Sequence, residues 1–465
     1  MKNIHRIVGL VLVQLGSALL PAQWGPVLTA TAPTARSGAL LAFDLLGNRT
    51  LMFGGNFTNE FWSLSGDTWT HLTPAVLPGP RARANIATDP ITGQILMLGG
   101  QDGNGMLALD ETWLWNGTVW QQLAPPHSPG GRIWHGMAFD IARQTSVMFG
   151  GRNNLFQPNQ VLGETWEFSL GDWTQVYPLT SPAPVLEPAM CNHPGLNKVM
   201  MFGGQIAGSG GNLGPAIDTT WVFDGVTWTQ INTTGVHPPA RRGGQMVPIL
   251  GRNICVLFGG YDPITFDILN DTWEHDGVNW TQVNNVYGGI YPARREFGMT
   301  HDFVRDRIVA FGGKTPTNAL LDDTWEYGAQ FQTFGMGCAG SAGTPLLTRG
   351  APPKLGTTTS ANLGNVPPAI PFAFMAVGTS RTQWAFGSLP TLLTPFGMPN
   401  CRSYTSADLL VVVPATAGSA TWSFNLPLQG SLVGEAYYLQ GITFDPGVNA
   451  LGLAVSNAAT LVIGN

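Results

Sequence analysis

Lysine is nearly missing from this 465-residue chain: Lys2, Lys198, Lys314 and Lys354 are all there are. With a net charge of −6 and no basic run, it lacks the cationic stripe that exchanges counterions with a phosphate backbone, which excludes nucleic acid as a partner. Charged residues make up only 11 % of positions, yet 44 % are hydrophobic, enough for a large core and too many for a disordered chain. Catalytic signatures are missing too. There is no nucleophile elbow, phosphate-cradling glycine loop or paired CxxC, and His71, His127, His135, His193, His237, His275 and His301 lack short metal-ligand spacing. Asp102, Asn104 and Asp110 begin like a calcium loop, but Met106 and Leu107 stand where an oxygen ligand and a turn glycine are needed, and Trp113 replaces the bidentate acid. The expectation is no catalytic residue, no metal and no cofactor. Four cysteines are too few for a disulfide-dense scaffold. Cys191 and Cys255 fall inside strand-like runs, as ordinary buried thiols do.

No long membrane-spanning run is present either. The apolar stretch Ile7 to Leu20 is 14 residues, short of the roughly 20 that cross a bilayer. Preceded by Lys2 and Arg6 and followed by small residues, it reads as a signal peptide over residues 1–22, cleaved near Ala22 or Gln23; an uncleaved anchor is the alternative. The mature chain is expected outside the cytoplasm, secreted or at the cell surface, as a monomer with no transmembrane segment.

What is abundant is glycine, 60 residues, with 35 prolines, which disfavours helix. A double glycine closes an apolar run at Gly54-Gly55, Gly99-Gly100, Gly150-Gly151, Gly203-Gly204, Gly259-Gly260 and Gly312-Gly313. After each of the first five follow two tryptophans seven apart: Trp62 and Trp69, Trp113 and Trp120, Trp166 and Trp173, Trp221 and Trp228, Trp273 and Trp280. The sixth repeat has Trp325 and then Phe331. Each repeat reads as four short strands, with turn pairs such as Asn116-Gly117 and Asp276-Gly277 in the last hairpin. Units too small to bury their own faces, repeated this way, predict a radial propeller.

In its di-glycines and spaced aromatics the chain resembles the kelch-repeat family, over about residues 24 to 331. The resemblance implies a β-propeller like the central domain of galactose oxidase, and the count here is six blades. The copper ligands of that enzyme have no counterpart. Trp24 precedes Arg36 by 12 residues, the same interval as Trp69 to Arg81. The N-terminal strand is therefore expected to complete blade six; the competing reading gives that place to the segment around Phe331.

Aligned on the glycines, Arg36, Arg81, Arg132, Arg241 and Arg294 share one position, and Glu60, Glu111, Glu164, Asp271 and Asp323 share another. In repeat four both are lost together, to Val185 and Thr219. A structural arginine–carboxylate fork is the expectation, with an anion-binding ring as the alternative. Ligand contacts are expected instead from the irregular residues of the same face: Arg83, Trp134, His135, Arg152, Arg242, Tyr261 and Arg295, with Phe57, Phe156 and Phe266 in nearby loops.

After Phe334 the period stops. Apolar runs at Phe372 to Val377, Leu409 to Val413, Ala420 to Leu426, Ala436 to Phe444 and Leu451 to Val455 predict a β-sandwich, with Cys338 bridged to Cys401. Gly335-Met336-Gly337-Cys338-Ala339-Gly340-Ser341 is similar to a terminal domain of secreted bacterial proteins and implies no chemistry. The expected organisation is all-β: a propeller over 23–332 and a sandwich over 333–465. The function expected is a secreted, non-enzymatic binding protein for a glycan or extracellular protein. A sugar-active enzyme and a surface adhesion component are the alternatives.

Overall fold

A computed structural model describes residues 23–27, 29, 31–153, 161–209, 212–232, 235–283, 292–305, 307–328, 330–334, 336–351, 353, 355–380, 383–385, 387–429, 432 and 436–463. The expected signal peptide and Phe156 lie outside the described residues. The chain divides into two compact units, one over Trp24–Gly328 and one containing Ala329–Asn465.

The first unit is a ring of six four-stranded antiparallel blades. Their inner strands are Ala39–Asp44, Asn85–Thr88, Gly136–Asp140, Ala189–His193, Gln245–Ile249 and Gly298–Asp302, each beside the next around the ring. Blade 6 runs outward from Gly298–Asp302 through Arg307–Phe311 and Thr324–Gly328 to the N-terminal strand Gln23–Val27. The first strand of the propeller thus finishes the last blade. The segment around Phe331 goes elsewhere, pairing as Gln330–Phe334 with Leu453–Val462.

Two sets of hydrogen bonds join neighbouring blades. At the outer strands a tryptophan donates to the threonine that opens strand three of the preceding blade: Trp69 to Thr324, Trp173 to Thr112, Trp228 to Thr165, Trp280 to Thr220 and Trp24 to Thr272, all at 2.9 to 3.0 Å. Trp120 is the exception, its indole N–H lacking a partner. The residue opening strand three of blade 1 is Phe61, which packs on Trp120 with ring centroids 5.9 Å apart. Near the axis, the second glycine of every pair donates to the carbonyl opening the next blade, from Gly55 to Arg81 at 3.2 Å round to Gly313 to Arg36 at 2.8 Å. Both glycines have positive φ, 68° and 102° at Gly99 and Gly100, and a Cβ on Gly99 would stand 2.5 Å from the Arg132 carbonyl oxygen. The double glycine is what lets two blades touch there.

Cys191 and Cys255, read from sequence as separate buried thiols, form a disulfide between blades 4 and 5. Their strands belong to different repeats, so no spacing within a repeat reveals the pairing.

The second unit is a β domain whose eight main strands form one continuous sheet around a core that includes Leu347, Leu363, Met375, Val413, Leu439 and Leu461. Strand Thr358–Gly364 escapes an apolar-run search because only Thr359, Ala361 and Leu363 turn inward. Cys338 is bridged to Cys401. The first turn is also held by Asp445, which accepts from the Ser341 hydroxyl at 2.8 Å.

Candidate functional site

The shared arginines are almost fully buried, and each closes the end of its own blade. Arg241 reaches the Gly259 carbonyl at 3.1 Å and grips Asp271 with two bonds of 2.7 and 2.6 Å. Arg294 does the same with Gly312 and Asp323. Arg36, Arg81 and Arg132 meet Glu60, Glu111 and Glu164 at 2.5, 2.5 and 3.0 Å. Every acid also accepts from the first tryptophan of its repeat, at 2.6 to 3.1 Å. In blade 4, where Val185 is buried, Trp221 turns to the Thr219 hydroxyl at 3.3 Å. These guanidinium groups are committed to the frame.

Two residues past each shared position the chain makes a sharp bend facing the axis. Gly38, Arg83, Trp134, Glu187, Gly243 and Glu296 occupy the six equivalent places, all with φ between 51° and 69°. Backbone bonds link them from blade to blade: Gly38 to Glu296, Trp134 to Arg83, Glu187 to Trp134 and Gly243 to Glu187. Glycine takes this conformation freely, whereas side chains there carry strain of about 1 to 3 kcal/mol each, a feature that clusters at ligand sites. Asn56, Gln101, Arg152, Gln205, Tyr261 and Lys314, one after each glycine pair, are the adjoining layer.

Together these residues form a charged, aromatic mouth. The Arg83 and Arg152 guanidinium carbons lie 4.8 and 4.6 Å from the centre of the Trp134 ring. Arg242 and Arg295 lie 4.6 and 4.9 Å from that of Tyr261, in the range of favourable cation–π contact. Phe57 meets Arg83 at 5.6 Å. Phe266 is exposed in its loop. Glu187 stands 3.3 Å from Arg242, and Glu296 stands 3.1 Å from both Arg295 and Lys314. Burial pushes the Glu187 carboxyl above the usual range. Burial acts likewise on Glu296, but Lys314 and Arg295 outweigh it and hold that group below. Burial, then Arg83 and Arg242, lowers the Arg152 guanidinium. Arg83, Trp134, Glu187 and Glu296 also line a cavity of about 200 Å³ between the inner strands.

Six of the seven ligand candidates named from sequence therefore meet at this mouth. Glu187 and Glu296 were missed, although alignment on the arginines would have put them beside Arg83 and Trp134. His135 lines the same cavity as Arg83, Trp134, Glu187 and Glu296; it is buried to 2 % exposure, and neither ring nitrogen has a hydrogen-bond partner.

Burial and then Arg132 bring His135 down to about 3; burial and then His193 bring His275 to about 4. In the unfolded chain both return to about 6.5. Below that pH the unfolded state binds protons that the folded state refuses, so each histidine removes up to about 1.4 kcal/mol of stability per pH unit on acidification. Thermal denaturation from neutral pH down to pH ~4 is expected to show a falling melting temperature, less steep in His135→Gln. A flat profile would contradict the burial argument.

Fold and repeat define a six-bladed β-propeller whose repeats are similar to those of kelch proteins. Residues 115–313 match the family described as the KLHDC2/KLHL20/DRC7 Kelch-repeats domain. Among curated relatives, acyl-CoA-binding domain-containing protein 5 of Arabidopsis thaliana is 26 % identical over 44 % of this chain and 32 % of its own length. Multiple epidermal growth factor-like domains protein 8 of Rattus norvegicus is 29 % identical over 49 % of this chain and 9 % of its own. The chain thus spans a third or less of either relative. Among solved structures, Aleuria aurantia lectin with α-methyl-L-fucoside aligns at 12 % identity and a TM-score of 0.39, over 63 % of this chain and 93 % of the lectin.

Proposed function

We propose that this is a secreted binding protein that takes a glycan or an extracellular protein at the mouth of its propeller. The observation that carries the reading is the inner ring of left-handed residues. Four of its six places hold Arg83, Trp134, Glu187 and Glu296, where glycine would sit without strain, and all four line the central cavity. Two disulfides fit an oxidising compartment. Among the described residues no helix is long and apolar enough to cross a membrane.

A glycan array and a pull-down with the full chain would supply ligands, and hydrogen exchange would map them. The expected result is slower exchange at the bends around Arg83, Trp134, Glu187 and Glu296. Protection confined to the C-terminal domain would overturn the reading.

A second reading is hydrolysis at the same place. Glu187 and Glu296 line one cavity while their surroundings push the two carboxyls in opposite directions, the division that separates an acid from a base. Turnover of a bound sugar, abolished in Glu187→Gln, would favour it over binding alone.

A further inference from the structure

Resting on the reading of the mouth as a binding site, we propose that its ligand is an acidic sugar, a glycan unit carrying a carboxylate among its hydroxyls. The rings offer little to a neutral sugar. Trp134 already carries Arg83 and Arg152, and Tyr261 carries Arg242 and Arg295, each within 5 Å of the ring centre. Guanidinium groups set against aromatic rings are pre-organised, so a carboxylate meets planar forks of donors rather than mobile cations.

Charge points the same way. Among the described residues Glu187 pairs with Arg242, and Glu296 with Arg295 and Lys314, while Arg83 and Arg242 oppose the charge on Arg152. An entering carboxylate relieves that repulsion.

The two glutamates choose between anions. They are nearly enclosed, with side chains 10 % and 15 % exposed, and when ionised they only accept hydrogen bonds. Sugar hydroxyls can donate to them, whereas the carboxylates of an acidic peptide cannot. The cavity of about 200 Å³, whose lining includes Arg83, Glu187 and Glu296 but not Arg152, Arg242 or Arg295, falls below the roughly 300–1,000 Å³ of drug-sized ligand sites, room for part of one sugar unit beside the glutamates.

The test is calorimetric titration of the full chain with trigalacturonic acid, beside neutral cellotriose and a polyglutamate peptide. The acidic trisaccharide is expected to bind more tightly than cellotriose by about tenfold or more, the value of one charge-assisted hydrogen bond, and to weaken as salt rises. Arg152→Gln should lose a similar factor with its melting temperature retained. Arg295→Gln, which gives up bonds to Glu296 at 3.1 Å and Asn318 at 2.8 Å, repeats the test if Arg152→Gln fails to fold. Equal binding of cellotriose, or binding of the peptide in place of the sugar, overturns the acidic-sugar inference. If that binding is still lost in the arginine variants, the mouth stands as a binding site. No binding, or binding indifferent to both arginines, overturns both.

Discussion

Replacing Trp24 with alanine is expected to destabilise the propeller by about 3–5 kcal/mol, the range for a large aromatic removed from a core. The size of the effect follows from where the residue sits. The strand Gln23–Val27 is the outer strand of blade 6, so it joins the two ends of the repeat array. Trp24 is 8 % exposed, packs 5.0 Å from Phe258 and 5.2 Å from Tyr327, and donates to Thr272 at 2.9 Å. The molecule contains its own control for the hydrogen bond. Trp24→Phe keeps most of the packing and loses the bond, at a cost of about 0.5–1.5 kcal/mol. Trp120→Phe breaks no such bond, because the indole N–H of Trp120 has no partner. Denaturant titration read by tryptophan fluorescence is the measurement. An unchanged midpoint in Trp24→Ala would show that blade 6 closes without its N-terminal strand.

Asp271→Ala should cost a similar amount, about 3–5 kcal/mol, because it leaves a buried guanidinium without its counter-charge. Arg241 is 1 % exposed, and Asp271 provides two of its bonds. Arg241→Ala should cost less: Asp271 is 14 % exposed and keeps the Trp273 N–H at 2.6 Å. Blade 4 supplies the rescue. There Val185 and Thr219 stand in the same two places, and the tryptophan bonds the threonine. Arg241→Val combined with Asp271→Thr should therefore recover most of what Asp271→Ala loses, since apolar replacement of both partners of a buried pair is often neutral. A double variant no better than the single would mean that the pair specifies the blade rather than merely filling it.

Alignment of the repeats made the frame legible. The arginine and the acid vary together between repeats because they meet in space, and Trp24 could be assigned to blade 6 because its distance to the next arginine repeats that of Trp69. The mouth was legible only in part. Arg83 and Trp134 stand out as irregular residues, whereas Glu187 and Glu296 carry no mark in the sequence beyond lying two residues past the shared arginine position. His135, one step along the chain from Trp134, is buried yet lines the same central cavity as the bend residues.

Periodicity by itself determined the number of blades and the four strands within each, because those depend on contacts repeated at fixed offsets along the chain; the choice between the Trp24 strand and the Phe331 segment to close the ring fell to the structure. Tertiary structure alone decided which arginine stacks on which ring of the mouth and that Cys191 meets Cys255. The pairs Arg83 with Trp134, Arg295 with Tyr261 and Cys191 with Cys255 join residues from different blades, so their geometry depends on how the ring closes, and no spacing within one repeat records it.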